Sequence, residues 1–173
     1  MNFLDQNSGW LGLPPESSWE VKNDLSDPNP FIEYRKLLWS YHLATAKGID
    51  DQDFLTIVKK LDESVSEIAG IGFQETPLIL LTELSEAIGQ NGGVWAKNET
   101  VNVSGSHKAR HLFGLAIRLE IEEVPKNKPL TIASCGNAAL AASVIAKAAK
   151  RNLTVNVPTW AETSLLDGLS DNG

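Results

Sequence analysis

The sequence predicts an α/β fold on a mostly parallel sheet, preceded by a helical extension over residues 1–75. Three observations predict it. After Thr76-Pro77, short apolar runs alternate with helical stretches. Ahead of that point, apolar residues recur at spacings of three and four. Finally, Ala138 through Ala146 are all apolar apart from Ser143, a pattern suited to a helix covered on more than one side.

Residues 1–30 carry Pro14-Pro15 and Pro28-Asn29-Pro30 and read as an irregular segment, with Trp10 and Trp19 expected to dock it. Phe31, Tyr34, Leu38 and Tyr41 predict a helix over 31–46 that stops near Gly48. Acidic residues in the first turn and the stripe Phe54, Val58, Leu61, Val65, Ile68 predict a second helix from Asp51 to Gly70. That stripe covers barely two heptads, which favours packing onto the parent domain over a coiled coil.

Beyond Pro77 the expected order is strand 78–81, helix 82–88, strand 94–97 after the Gly92-Gly93 turn, and helix 107–122. Strand 130–134, helix 137–151 and strand 153–157 follow. The alternation implies βαβ units with right-handed crossovers.

Of the 173 residues, 42% are hydrophobic and 21% charged, an ordinary globular composition. The net charge of −7, with no Lys/Arg stripe, argues against a nucleic-acid partner. No basic leader precedes an apolar run near Met1 and no stretch reads as a membrane span, so the expectation is a soluble cytoplasmic protein. Cys135 is the sole cysteine and is expected to be a small buried thiol. No metal-ligand spacing is seen.

Two segments carry chemistry. In the first, the polar loop from Asn98 to Ser106 runs into a helix whose opening turn bears His107, Lys108, Arg110 and His111. Positive side chains at the positive end of a helix dipole cost about 0.3–1 kcal/mol each, so an anion is expected nearby. The helix end and the neighbouring cations also disfavour the ammonium form of Lys108, which prepares its amine for a carbonyl carbon. A surface helix that starts with basic residues satisfies the charge pattern equally. In the second segment, Thr131-Ile132-Ala133-Ser134-Cys135-Gly136-Asn137 takes a strand through a small-residue turn into a helix. Backbone amides there can hold an anion. Alone, it is also a structural turn with Ser134 and Asn137 as caps.

As a set, Ser104-x-x-x-Lys108-x-Arg110 before a helix and Ser134-x-Gly136-Asn137-x-Ala139 one βα unit later resemble the lysine motif and asparagine loop of fold type II pyridoxal-phosphate enzymes. Glu75-Thr76-Pro77-Leu78 and Trp95-Ala96-Lys97-Asn98-Glu99 extend the likeness, which covers 75–173. Within that group the chain is most similar to threonine synthase-like proteins, where a helical extension also precedes the Thr-Pro-Leu segment.

The resemblance implies pyridoxal 5'-phosphate as cofactor and a three-layer αβα sheet of the tryptophan synthase β-like type over 76–173. It implies Lys108 as the catalytic Schiff-base lysine, with Lys108, Asn137 and His107 binding the cofactor and Asn137 on its ring hydroxyl. His107 stands where many members carry an aromatic residue and tryptophan synthase β-type sequences carry His. Ser134, Gly136 and Asn137 would hold a substrate carboxylate, and Ser104 and Ser106 would shape the lysine loop on the substrate side.

The implied reaction is elimination or replacement on a small amino acid. Conversion of O-phosphohomoserine to threonine leads, with a serine/threonine dehydratase-like lyase or a catalytically incompetent fragment as alternatives. A homodimer is implied for a full-length enzyme. The family's glycine-rich phosphate loop and pyridine-nitrogen partner follow the asparagine loop and are not found by Gly173. The sheet is therefore expected to be incomplete and the chain truncated at its C-terminus.

Overall fold

The computed structural model describes residues 27–171, so the expected docking of Trp10 and Trp19 falls outside the described residues. The chain enters through a one-turn helix α1 (Pro30–Glu33). Asn29 caps it by accepting a hydrogen bond from the Phe31 amide at 2.8 Å, and Pro30 stands at the first helical position, where its missing N–H costs nothing. The single helix expected over 31–46 is then interrupted. A 3-10 turn (Arg35–Leu37) leads to Leu38 in extended conformation (φ −85°, ψ 130°), and α2 (Trp39–Ala46) starts afresh. The buried Arg35 explains how the break is held: its guanidinium donates to the Ile32 carbonyl and grips both Asp51 oxygens at 2.6 and 3.0 Å. Apolar spacing does not register the break, because Phe31, Leu38 and Tyr41 still reach one core.

Helix α3 (Asp51–Ala69) matches its sequence signals at both ends. Asp50 accepts from the Asp53 amide, and Gly70 ends the helix in the left-handed region at φ 73°. Phe54, Val58, Leu61 and Val65 are buried against the rest of the fold rather than in a coiled-coil seam. Asp62 on the same helix accepts from Asn29 Nδ2 and the Phe73 amide, both at 2.8 Å, and burial pushes its carboxyl above the usual range.

Strands β1 (Leu78–Leu80) and β2 (Trp95–Lys97) pair antiparallel, with Ile79 opposite Ala96, which corrects the expected parallel arrangement at this point. The reason lies in the connection. Helix α4 (Thr82–Ala87) places Ser85 so that its hydroxyl donates to the Leu81 carbonyl at 2.7 Å and accepts from the Val94 amide at 2.8 Å. Those bonds draw the end of β1 and the start of β2 together, and Gly93 at φ 77° completes the reversal.

Helix α5 (Lys108–Ile121), strand β3 (Leu130–Ala133), helix α6 (Asn137–Ala148) and strand β4 (Leu153–Asn156) follow as expected. β3 and β4 are parallel, with Leu130 opposite Leu153 and Ala133 opposite Asn156. Among the described residues the strands form two separate two-stranded sheets, so only β3-α6-β4 realises the expected parallel unit. A final helix, α7 (Thr163–Asp171), was not expected from the sequence. It approaches α6 so closely that a Cβ on Gly168 would lie 2.9 Å from Leu140 Cδ2.

The core joins the helices. Phe31, Phe73 and Phe113 meet with ring centroids 4.3 to 5.2 Å apart, tying α1 and the segment after α3 to α5. α6 is buried from Ala141 through Ala146 and packs against α3, α5, α7 and both parallel strands, as its all-apolar start demands. Arg151, also buried, closes the C-terminal end of α5 by donating to the Val124 carbonyl and to Glu120. No helix among the described residues is long and apolar enough to cross a membrane.

Candidate functional site

Lys108 is the first residue of α5, and the loop ahead of it is tightly wound. Ser104 (φ 55°, ψ 24°) and Gly105 (φ 63°) are both left-handed, within the 3-10 turn Val103–Gly105. For Ser104 this costs on the order of 1–3 kcal/mol, which the surrounding structure must supply. It does so through side chains. Asn102 Nδ2 donates to the Ser106 carbonyl at 2.9 Å and to Glu99 Oε2 at 3.1 Å, and Ser106 Oγ accepts from the Lys108 amide at 3.3 Å. Ser106 and Asn102 are buried, while Ser104 Oγ and Asn102 Oδ1 are buried atoms without a hydrogen-bond partner among the described residues.

The anion expected near the basic helix start is Glu99. Arg110 Nε donates to Glu99 Oε2 at 2.8 Å, and its NH2 group reaches Thr76 Oγ1 and the Gln74 carbonyl. Thr76 donates to the other Glu99 oxygen, and Lys97 Nζ donates to the Thr76 carbonyl. Burial works to raise the Glu99 carboxyl, but Arg110 and Thr76 outweigh it and hold the group below the usual glutamate range. The sequence pointed to an anion for this helix but not to which carboxylate. The signal was the pair of basic residues with no acid in the first turn of α5.

His107, Lys108 and His111 remain exposed. Among the described residues, no hydrogen bond or ion pair engages the Lys108 amine. Lys108 and His111 border a groove of about 650 Å³ between α5, α6 and β3, which Leu112, Ile132, Ala138 and Ala142 also line.

The second segment is brought to the first: the turn 103–105 packs against α6. Gly136 is the N-cap of α6 and supplies no side chain, so the opening amides of this helix have no side-chain acceptor. Asn137 is already helical, exposed and free of side-chain hydrogen bonds among the described residues, so it is not the cap that a purely structural reading required. Ser134 Oγ accepts from the Gly136 amide at 3.4 Å. Cys135 is exposed, which overturns the expectation of a buried thiol. Ser134, Gly136 and Asn137 do not border the 650 Å³ groove, although their neighbour Ala138 does.

A family model described as pyridoxal-phosphate dependent enzyme matches residues 71–173. The chain belongs to that family. No curated protein and no solved structure matches it. The match opens just after α3 ends at Ala69 and takes in both chemical segments. The residues present fit an aldehyde-bearing anionic cofactor. The family's cofactor calls for an amine free to meet its aldehyde carbon and for donors to its oxygens. The Lys108 amine and the Asn137 side-chain amide, neither of them hydrogen-bonded among the described residues, are such groups. Among the described residues, no group of three or more His, Cys, Asp or Glu side chains could hold a metal ion.

Proposed function

We propose that this pyridoxal-phosphate-dependent enzyme carries out β- or γ-elimination or replacement on a small amino acid, with Lys108 as its catalytic lysine. The observation that carries the reading is a free, exposed lysine at the start of α5, on a strained loop that packs against the uncapped helix bearing Asn137. Bound pyridoxal phosphate supplies an electron sink that acidifies the substrate's Cα–H. Lys108 Nζ would hold the cofactor at its aldehyde carbon, and as a free amine would take and return the proton at the substrate carbon.

The Asn137 side chain would donate to the cofactor ring oxygen, and His107, beside Lys108, would complete the cofactor contacts. The amides at Gly136 and Asn137, with Ser134 Oγ, hold the substrate carboxylate. Ser104 and Ser106 set the loop that bounds the substrate. We read residues 76–173 as the catalytic region and 1–75 as its extension. The parallel register of β3 and β4 supports a three-layer αβα sheet of the tryptophan synthase β-like type. Within this class, threonine synthase-like conversion of O-phosphohomoserine is the leading reaction, supported by the helical extension before Thr76-Pro77.

The test is chemical. After incubation with pyridoxal phosphate and borohydride reduction, peptide mapping should find the cofactor on Lys108. Lys108→Ala should lose that label and lower turnover of O-phosphohomoserine by about 10²–10⁴-fold. A label on Lys97 or Lys147 in the parent protein would refute the assignment, and turnover of serine or threonine alone would move the reaction to the dehydratase class.

A further inference from the structure

We infer that Glu99 is a positioning residue for Lys108, acting through Arg110 and Asn102 rather than by touching cofactor or substrate. The inference rests on the reading of Lys108 given above. Glu99 joins all three parts of this region. Its Oε1 accepts from Thr76 of the segment leading into β1, and its Oε2 accepts from Arg110 and Asn102. Arg110 lies two residues into α5 beyond Lys108, and Asn102 lies ahead of the left-handed turn, so one carboxylate grips the chain on both sides of the lysine.

That placement matters because the loop is strained. Ser104 holds a left-handed backbone with its hydroxyl buried and unpartnered, a conformation that persists only where neighbours over-determine it. Ser106, the residue whose hydroxyl receives the Lys108 amide, is held through its carbonyl by Asn102. Removing the Glu99 charge leaves Arg110 without its carboxylate and Asn102 with a weakened acceptor, so the start of α5 can shift relative to α6. Among the described residues, the exposed Lys108 amine has no hydrogen bond or ion pair to restore its position. Charge-assisted, forked hydrogen bonds of this kind are the ones geometry depends on most.

The experiment uses the full chain, pyridoxal phosphate as probe, and Glu99→Gln, which keeps the side chain's size and one acceptor. Two readouts are taken: hydrogen exchange of the amides of 100–110, and the fraction of Lys108 fixed to cofactor by borohydride at limiting cofactor. The expected result is exchange faster by about tenfold or more in that segment, with α3 unchanged, and a comparable fall in Lys108 labelling. Parental exchange and parental labelling in Glu99→Gln would overturn the inference. So would a uniform rise in exchange across the molecule with labelling intact, the signature of a residue that only stabilises the fold. If Glu99→Gln loses its helical circular dichroism, Arg110→Lys is read instead. It keeps the charge but not the fork and should give the same localised change; parental values there overturn the inference. Failure of the parent protein to label at Lys108 would refute the functional reading instead, while the exchange data still decide whether Glu99 holds the loop.

Discussion

The lysine segment and the asparagine segment both lead into helices, yet they are held in opposite ways. Ahead of α5, side chains do the holding: Glu99, Asn102, Ser106 and Arg110 are bonded to one another or to nearby backbone, and the turn is strained. Ahead of α6, backbone bonds do most of the holding, and the one side-chain bond among the described residues of this turn is a long one, from the Gly136 amide to Ser134 Oγ at 3.4 Å. The Ser134 amide joins the parallel ladder at Asn156, Gly136 accepts from Ala139, and the side chains of Cys135 and Asn137 stay exposed. A reactive lysine must be aimed, whereas amides at a helix start are aimed by the helix itself. On the proposed reading, substitutions of Glu99, Asn102, Ser106 and Arg110 act on Lys108 through geometry, and substitution of Asn137 acts directly on what is bound.

The largest test of this contrast removes the platform beneath the lysine helix. Phe113 is fully buried on α5 between Phe31 and Phe73, so Phe113→Ala should destabilise the fold by about 3–5 kcal/mol in denaturant unfolding. A loss below about 1 kcal/mol would mean that the aromatic cluster does not anchor α5.

Asn137→Ala sharpens the comparison from the other side. Because Asn137 is exposed and makes no side-chain hydrogen bond among the described residues, thermal stability should hold. The absorbance of bound cofactor should shift, and turnover should fall by the equivalent of about 1.5–3 kcal/mol. An unchanged spectrum and rate would leave Asn137 without a role in the site.

Acidity separates the two segments without a change at the second. Glu99 titrates below its ordinary value of 4.5 in the folded chain, held there by Arg110, Thr76 and Lys97 against the effect of burial. Its contribution to stability is therefore complete above pH 4.5 and is lost as the pH falls through the lower, folded value. Melting temperatures across that range should drop more steeply for the parent than for Glu99→Gln. Parallel curves would remove Glu99 from the acid response.

The smallest effect belongs to Cys135. As an exposed thiol in a loop held by backbone, it should alkylate in the native state, and Cys135→Ser should change stability by no more than about 0.5 kcal/mol. A thiol that reacts only after unfolding would contradict the exposed loop.

The sequence by itself determined the elements whose causes are local. Asp50 and Gly70 bound α3 through a cap and a left-handed stop. The apolar start of α6 required the burial it receives, and the run from Leu130 to Asn156 formed a parallel β3-α6-β4 unit. Both chemical segments were legible for the same reason, since a loop, a helix start and their residue types lie within a few positions of one another. Tertiary structure alone decided the interruption between α1 and α2, where Arg35 reaches Asp51, and the antiparallel return of β2, where Ser85 bridges Leu81 and Val94. It also decided that the anion facing the basic start of α5 is Glu99, shared with Thr76 and Arg110, and that Asn137 is left free beside a glycine cap. Apart from the Ser85–Leu81 bond, those contacts join residues 9 to 34 positions apart in the sequence, and a periodic pattern of apolar residues carries no record of such polar pairings.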